Sequence, residues 1–293
     1  MPVEISVVVP FLNEEPYIRR CLDSMVAAEY PPDKVEFIFV DNGSNDRSAA
    51  IVREYPRVKL LTVTHGRVYT ARNAGVEAAK GEVIAFTDAD CEVSPGWLLA
   101  IRQETLERDA SFVMGGIGFA RPRSALLDVI EAYRNDHIQF VIENRVWNHV
   151  YGYTNNMAIR AEIFRRFGLF EELPVPGDTE IVHRCLRKEP RTRVVFRRDM
   201  WVDHLELVSS RTLFRKLIDY GEFEMHMPLP RYDPTYTRPK SGAEAWILAK
   251  SDFSIPRRLL FQLAVHSTTA CFAVGKWRAR LRRALTGVAT TRR

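Results

Sequence analysis

The chain has 293 residues, of which 46% are hydrophobic and 27% charged, a composition typical of a globular protein with a full core. Its four cysteines are scattered without CxxC spacing, which argues against a zinc site or a disulfide framework and favours a reducing cytosol. The net charge of +5 is uneven: nine basic and no acidic residues follow Asp252, so the preceding part has 33 basic and 37 acidic residues.

The first half of the chain alternates strand and helix patterns, and no signal-peptide pattern precedes the first strand. Apolar runs predict strands at Ile5–Pro10, Val35–Val40, Val58–Val63 and Val83–Phe86. Helical patterns between and after them cover Ile18–Val26, Asp46–Tyr55, Thr70–Lys80 and Pro95–Glu107. This alternation predicts an α/β fold in which helices cover both faces of a mostly parallel sheet.

Polar side chains follow three of these strands at the points where the strands end. Asn13 and Glu14 follow the first strand, Asp41 the second, and Asp88 and Asp90 the fourth. The carboxyl ends of parallel strands form the ligand crevice of open α/β sheets, so these residues predict a binding site. An Asp-x-Asp pair there can hold a hard divalent cation that bridges to nucleotide phosphates. The alternative is that the two acids only cap the strand and start a turn.

The second half of the chain is less regular. Its predicted elements are a strand at Phe112–Phe119, a helix at Ser124–Arg145, a strand at Asn155–Ile159, a helix at Gly177–Arg187 and a strand at Val194–Val202. Four prolines between Pro228 and Gly242 predict a flexible segment. We therefore expect a boundary between residues 1–225 and 226–293.

The C-terminal region combines an apolar stretch with basic flanks. Leu259–Gly275 is interrupted by polar residues and falls short of the ~20 apolar residues that a membrane-spanning helix needs. Two arginines precede the stretch, and Lys276, Trp277 and Arg278 follow it, which favours an interfacial helix on an anionic membrane. The alternative is a helix packed on the rest of the protein. Nucleic acid is an unlikely partner, because the tail lacks the interleaved aromatic residues that stack on bases.

The order of the motifs resembles that of the family 2 inverting glycosyltransferases, which have a GT-A fold. The matching segments are Val7–Glu14, Val40–Asp46, Ala71–Gly75, Gly81-Glu82, Asp88–Asp90, Asn156–Arg160 and Gly177–Glu180. The resemblance covers about residues 3–225. It implies a mostly parallel sheet flanked by helices in a catalytic domain of residues 1–225, followed by a proline-containing linker and a basic, amphipathic C-terminal region at 226–293.

The resemblance also implies roles for individual residues. The residues implied in nucleotide-sugar binding are Pro10, Glu14, Asp41, Arg72 and Asp88. Asp90 would contact a Mg²⁺ or Mn²⁺ ion that holds the diphosphate, and His204 would supply a nitrogen ligand unless it is structural. Asp203 is an alternative ligand. Asp178 would be the general base, although aspartate is also a favoured helix N-cap.

The reaction implied is the metal-dependent, inverting transfer of a sugar from a UDP-, GDP- or dTDP-linked donor to an acceptor hydroxyl, by an enzyme of the hexosyltransferase class. The acceptor would be a glycan or a lipid-linked molecule in cell-surface polysaccharide or glycolipid synthesis. The location would be the cytoplasm, peripherally at the inner face of the cell membrane. The Gln-x-x-Arg-Trp signature of processive synthases is absent, which favours adding one sugar per encounter.

Two positions depart from the pattern of many relatives. Asn42 stands where a second Asp is common, and Gly177 stands where a Glu often precedes the base. These departures leave open an alternative, a degenerate protein that binds a nucleotide sugar without turnover. A nucleotidyltransferase is disfavoured, since residues 10–14 form no Gly-rich loop. Trp97 would pack either over an acceptor groove or in the core.

Overall fold

The computed structural model describes residues 2–64, 66–121, 124–147, 150–172, 177–224, 242–250 and 254–286. These form two compact units, one of Met1–Gly118 with Ile142–Leu205 and one of Phe119–Val141 with Glu206–Arg293. Apart from Gly242, the predicted flexible segment lies outside the described residues. The boundary at residue 225 therefore stays a prediction.

An eight-stranded sheet forms the centre of the first unit. Its strands are β1 (Ile5–Phe11), β2 (Val35–Asp41), β3 (Val58–Thr62), β4 (Val83–Thr87), β5 (Cys91–Val93), β6 (Phe112–Phe119), β7 (Asn156–Arg160) and β8 (Val194–His204), in the spatial order β3-β2-β1-β4-β7-β6-β8-β5. The first four pair in parallel, whereas β4 with β7, β6 with β7, and β5 with β8 pair antiparallel. The parallel strands are nearly continuous apolar runs because helices cover both of their faces.

The helices of the first unit follow the strands in the order that the sequence predicts. They are α1 (Ile18–Val26), α2 (Ser48–Arg53), α3 (Val68–Ala78), α4 (Trp97–Arg102), α6 (Ala161–Phe167) and α7 (Gly177–Lys188). The helix predicted at Pro95–Glu107 begins at Trp97, and its last turn, Gln103–Glu107, is π-helical. The sequence patterns did not predict α6 or the three-residue β5, because both are shorter than the windows in which periodicity is visible.

Trp97 lies in the core of the first unit, so the core interpretation of this residue is right. Its side chain is fully buried, and its Nε1 donates to Asn156 Oδ1 at 2.8 Å. The Asn156 amide nitrogen in turn donates to the carbonyls of Gly116 and Met200, at 2.7 and 2.8 Å. One buried amide thus joins α4, β6, β7 and β8.

Among its described residues, the second unit contains four helices. These are α5 (Ala125–Glu143), α8 (Ser210–Glu224), α9 (Gly242–Lys250) and α10 (Ile255–Thr286). Their buried cluster includes Leu127, Leu213, Ile247 and Phe261. The predicted apolar stretch lies within α10, which packs along α8. Within the described part of the chain, no helix combines the length and hydropathy that crossing a bilayer requires.

Candidate active site

The loops after β1 and β2 hold each other at the carboxyl edge of the parallel strands. Asp41 ends β2 and is buried, and its Oδ1 accepts a hydrogen bond from the Ser44 backbone at 2.8 Å. The backbone of Glu14 donates to Ser48 Oγ at 2.8 Å. Pro10 lies one residue before the end of β1 and pairs with β2. Neighbouring parallel strands therefore bring Pro10, Glu14 and Asp41 to the same edge, as the sequence predicts.

Asn42 has a structural role that explains its amide side chain. Its Nδ2 donates to the carbonyl of Gly66 at 3.1 Å, and its Oδ1 accepts from the Gly66 N–H at 2.9 Å. An aspartate could accept the second bond but could not donate the first. The asparagine that departs from the family pattern therefore makes both hydrogen bonds to the loop that precedes α3, which an aspartate could not do.

Arg72 connects the end of β4 to the face of α3. Its Nη2 donates to Asp88 Oδ1 at 2.6 Å, a charge-assisted bond, and its guanidinium lies 5.5 Å from the centroid of the Tyr69 ring. The arginine is buried, whereas the Asp88 side chain is one-third exposed. Asp88 therefore presents a carboxylate at the surface of the site, with a fixed positive charge behind it.

Asp178 lies in the first turn of α7 and is buried. Its Oδ1 accepts from the Thr179 backbone at 2.8 Å, and its Oδ2 accepts from the Thr154 backbone at 3.2 Å. The Tyr69 hydroxyl lies 3.4 Å from the Asp178 backbone nitrogen. Burial raises the pKa of Asp178 above its ordinary value, although the charge of Arg72 and these hydrogen bonds act in the opposite direction.

His204 and Asp90 meet because β5 and β8 form an antiparallel pair. His204 is the partner of Cys91 in this pair, and its backbone neighbour Leu205 donates to the Asp90 carbonyl at 2.7 Å. The Nδ1 of His204 lies 3.4 Å from Asp90 Oδ2. One potential ligand atom from each of Asp90, Cys91 and His204 lies within 4.8 Å of the others.

Of these three residues, Asp90 and His204 are suitable ligands for a divalent cation. The carboxylate oxygen suits both Mg²⁺ and Mn²⁺, and a neutral imidazole nitrogen is a common metal ligand. The Cys91 thiol is fully buried, and burial raises its pKa well above the ordinary value, which opposes formation of the thiolate that binds metals. Successive side chains of a strand point to opposite faces, so Asp203 lies on the face of β8 opposite to His204. There its Oδ1 accepts a hydrogen bond from Trp201 Nε1 at 3.1 Å.

The structure thus assembles most of the predicted site residues into two clusters around the segment that follows β4, the strand that pairs with β1. One cluster joins Arg72, Asp88 and Asp178, and the other joins Asp90 and His204. Two residues that contact Asp178, Tyr69 and Thr154, were not predicted from the sequence. Tyr69 precedes Arg72 by three residues and so shares its helix face, a signal that was available. Thr154 lies in a loop before β7, where no local pattern marks it.

Comparison with known proteins gives a family match over more than half of the chain. The family model described as glycosyl transferase family 2 matches residues 6–169. Glycosyltransferase AglE of Haloferax volcanii is 27% identical over 179 residues, which are 59% of this chain and 58% of the relative. The uncharacterized glycosyltransferase YibD of Escherichia coli is 34% identical over 201 residues, 63% of this chain and 58% of the relative. The matched part therefore spans less than two thirds of these relatives.

Solved structures give the fold. S. aureus TarS 1–349 aligns with a TM-score of 0.55 at 15% identity, over 92% of this chain and 81% of the other. The mannosyltransferase PcManGT from Pyrobaculum calidifontis, solved with GDP-Man and Mn²⁺, aligns with a TM-score of 0.56 at 19% identity, over 98% of this chain and 83% of the other. These likenesses confirm the predicted GT-A type α/β fold.

Proposed function

The chain belongs to glycosyl transferase family 2, and we propose that it is a metal-dependent, inverting glycosyltransferase that uses a nucleotide-diphosphate sugar. The observation that carries this proposal is the network around Arg72. This arginine contacts Asp88 at 2.6 Å and acts electrostatically on the buried Asp178. Asp88, which is suited to binding the donor, and Asp178, which is suited to removing a proton, thus share the positive charge of Arg72.

The donor would bind along the carboxyl ends of β1, β2 and β4. Pro10, Glu14 and Asp41 would contact the nucleoside, and Arg72 and Asp88 would contact the ribose and diphosphate region. A UDP-, GDP- or dTDP-linked sugar fits this assignment. TarS has been solved with UDP-GlcNAc and PcManGT with GDP-Man, which supports donor binding in this fold.

Asp90 and His204 would hold a Mg²⁺ or Mn²⁺ ion. When bound, such an ion neutralises the negative charge that develops on the diphosphate leaving group. The protein's own contribution is to fix the two ligands: the β5–β8 pairing positions His204, and the Leu205 N–H holds the backbone of Asp90.

Asp178 would act as the general base toward the acceptor hydroxyl. A base with a raised pKa is a better proton acceptor than an ordinary aspartate, provided that the pH keeps it ionised. The bonds from Thr154 and Thr179 fix its two oxygens in orientation. Inversion follows if the acceptor oxygen, deprotonated by this carboxylate, attacks the anomeric carbon from the face opposite to the departing diphosphate.

The acceptor would be a glycan or a lipid-linked molecule, and the product a cell-surface glycan or glycolipid. Residues 1–225 would form the catalytic domain, and 226–293 a linker and a basic region that contacts an anionic membrane at its cytoplasmic face. The poly(ribitol-phosphate) beta-glucosyltransferase of Bacillus spizizenii, 34% identical over 119 residues, supports this assignment to cell-surface glycans.

The second candidate is a degenerate protein that binds a nucleotide sugar without turnover. Gly177 favours it, since no carboxylate precedes Asp178. The two candidates differ in one respect that can be measured: only the enzyme needs an ionised Asp178.

The test combines donor hydrolysis and transfer assays with thermal shift across UDP-, GDP- and dTDP-sugars, each with Mn²⁺, Mg²⁺ or EDTA. We expect one donor to respond in a metal-dependent way. Asp178→Asn should lower kcat by about 10²–10⁴-fold and retain the donor-induced thermal shift. Asp90→Ala should abolish the metal response, whereas Asp33→Asn, a matched change at an exposed position, should have no effect.

Two results would contradict the proposal. Full turnover by Asp178→Asn would place the base elsewhere. A donor-induced thermal shift in the wild type without hydrolysis or transfer for any acceptor would favour the degenerate binding protein.

A further inference from the structure

The outer face of α10 presents large apolar side chains near both of its ends, with the exposed His266 between the two groups on the same face. Six large apolar side chains on this helix, called the stripe below, are between 42% and 76% exposed: Ile255, Leu259, Leu263, Val274, Trp277 and Leu281. Their spacings of four, four, eleven, three and four residues place them within an arc of ~100° on an α-helix. At 32 residues, α10 extends for ~48 Å. Scattered exposed apolar residues are normal, but an aligned set on one helix face needs a partner.

The opposite face of the same helix explains why the stripe is not part of the core. Phe261, Ala264, Val265 and Ala279 are buried there, and the first three belong to the apolar cluster that α10 shares with α5, α8 and α9. The helix therefore has two apolar faces, of which one packs inside the second unit. The other faces outward on the part of the chain that the structure describes.

Basic side chains flank the stripe on both sides. Arg258, Lys276 and Arg280 lie along one side, and Arg278 and Arg282 along the other, by helical spacing. The helix contains no acidic residue. Glu222 of α8 offsets part of this charge, because its carboxylate lies 2.6 Å from Arg282 and 3.8 Å from Arg278.

A shallow open groove between α8 and α10 adds further positive charge beside the stripe. It is lined by Ser210, Arg211, Phe214, Arg215, Ile218 and Arg278. Arg211 and Arg215 are exposed and one helical turn apart, so both guanidinium groups can reach one anionic group. The apolar side chains Phe214 and Ile218 form the rest of the wall.

We propose that the outer face of α10 docks on an anionic phospholipid bilayer, with the stripe in the acyl boundary and a lipid phosphate in the groove lined by Arg211, Arg215 and Arg278. The inference rests on the membrane contact of the proposed function and assigns it a surface, residues and a lipid class. An amphipathic helix with basic flanks and an exposed Trp has the chemistry of an interfacial anchor. A bilayer with anionic headgroups complements both the apolar and the basic parts of the surface.

The charge distribution favours a bilayer over a second copy of the chain. Two copies that met through this face would bring two rows of basic residues together, and α10 has no acidic residue to pair with them. Anionic headgroups remove this repulsion.

The experiment is flotation of the full chain with phosphatidylcholine vesicles, with and without phosphatidylglycerol. We expect the wild type to float with the anionic vesicles and to be released at about 1 M salt, where the Debye length is ~3 Å. Leu259→Gln with Leu263→Gln should lower binding at least about tenfold. Arg211→Gln with Arg215→Gln should lower it about fivefold for each arginine. Leu99→Gln changes an exposed leucine of the first unit, outside this face, and should bind like the wild type.

A second readout does not depend on these variants. The emission of Trp277, obtained as the difference between the wild type and Trp277→Phe, should shift to the blue when anionic vesicles are added. Unfolding curves of Leu259→Gln with Leu263→Gln, called the leucine variant below, should match those of the wild type, since both leucines are exposed.

Three results would overturn the inference. The first is that the wild type remains in the unbound fraction. The second is that the variant Leu259→Gln with Leu263→Gln floats as well as the wild type. The third is that sedimentation shows a dimer that this variant loses, without any flotation. Flotation requires no turnover, and donor hydrolysis in vesicle-free buffer should be the same for wild type and leucine variant. Failure of the membrane surface and failure of the transferase assignment are therefore distinguishable.

Discussion

Asp178 shows how its surroundings set the protonation of a single carboxyl group. Burial raises its pKa, and the charge of Arg72, two backbone N–H groups and the Tyr69 hydroxyl limit the rise. The base needs the ionised form, so the rate should fall as the pH drops through this raised pKa. The same shift means that ionisation of Asp178 costs folding stability; this cost grows as the pH rises from the unfolded-state pKa and is complete once the pH has passed the folded-state pKa.

Tyr69→Phe tests whether the Tyr69 hydroxyl limits the rise in the pKa of Asp178 that burial causes. Removing the hydroxyl removes a hydrogen bond that favours the ionised carboxylate, so the pKa of Asp178 should rise further. Because hydrogen bonds to charged groups are among the stronger ones, the acid limb of the kcat profile should move measurably to higher pH. Donor affinity at higher pH should change little. The measurement is kcat against pH.

Tyr55→Phe is the matched control for this measurement. The Tyr55 hydroxyl also contacts a carboxylate, Asp23 Oδ1 at 2.5 Å, but on an exposed surface. Its pH profile should be that of the wild type. If Tyr69→Phe leaves the acid limb in place, the hydroxyl does not influence the base.

Tyr69 also gives a physical reason for Gly177. A Cβ at residue 177 would lie 3.2 Å from the Tyr69 ring and 3.1 Å from the Glu171 carbonyl, closer than most such contacts. Sequence comparison with the family pattern identified the departure at Gly177 but not its cause. The cause is a contact between α3 and α7 across 108 residues of sequence, and no local pattern contains it.

At the level of elements, the long apolar runs were predictable and the short pairings were not. β1, β2 and β4 are almost entirely buried and β3 is partly buried, so their sequences are mostly apolar and identify the strands. β5 has only three residues, and it becomes a strand because β8 lies beside it. This pairing also extends β8 to His204, two residues beyond the predicted end. The position of His204 beside Asp90 therefore depends on tertiary structure.

Gly115→Ala tests how closely β6 and β8 are packed. A Cβ at residue 115 would lie 2.2 Å from the Met200 carbonyl and 2.2 Å from the amide nitrogen of Asn156. Since the first of these atoms is backbone, the strands must move apart, and we expect a loss of about 1–3 kcal/mol in the free energy of unfolding. Denaturant unfolding at equilibrium measures it.

Gly96→Ala is the control for overpacking, because no heavy atom lies within 4 Å of the added Cβ. Its effect should stay below ~1 kcal/mol, as expected for a half-buried residue that precedes a helix and has open space beside it. Equal losses for both variants would show that close packing against β8 is not the reason for Gly115.

At the scale of the whole molecule, charge predicted that the basic residues concentrate in the C-terminal region. It did not predict which residues form each of the two compact units. The second unit contains α5, which lies in the middle of the sequence and precedes much of the first unit. The sequence could not show this, because the composition of residues 119–141 does not differ in a way that assigns them to a different unit from the segments on either side. The basic C-terminal region was visible from charge, whereas the outward apolar stripe of α10 became visible only once its buried face was known.

The four cysteines connect composition to the fold and give a prediction for the whole molecule. Cys21, Cys91 and Cys185 are buried, and Cys271 is partly exposed. Burial raises the pKa of Cys185 to about 12 and the pKa values of Cys21 and Cys91 well above the ordinary value. Thiolate is the reactive form, so these three thiols should be inert in the folded protein.

Titration with a disulfide reagent should therefore modify one thiol in the native chain and all four in denaturant. The native reaction should be slow, because burial also raises the pKa of Cys271. Cys271→Ser should abolish it and leave three thiols that react only after unfolding. Rapid native reaction of a second thiol would mean that the first unit opens locally at one of its buried cysteines, and the rate of that reaction would measure how often it opens.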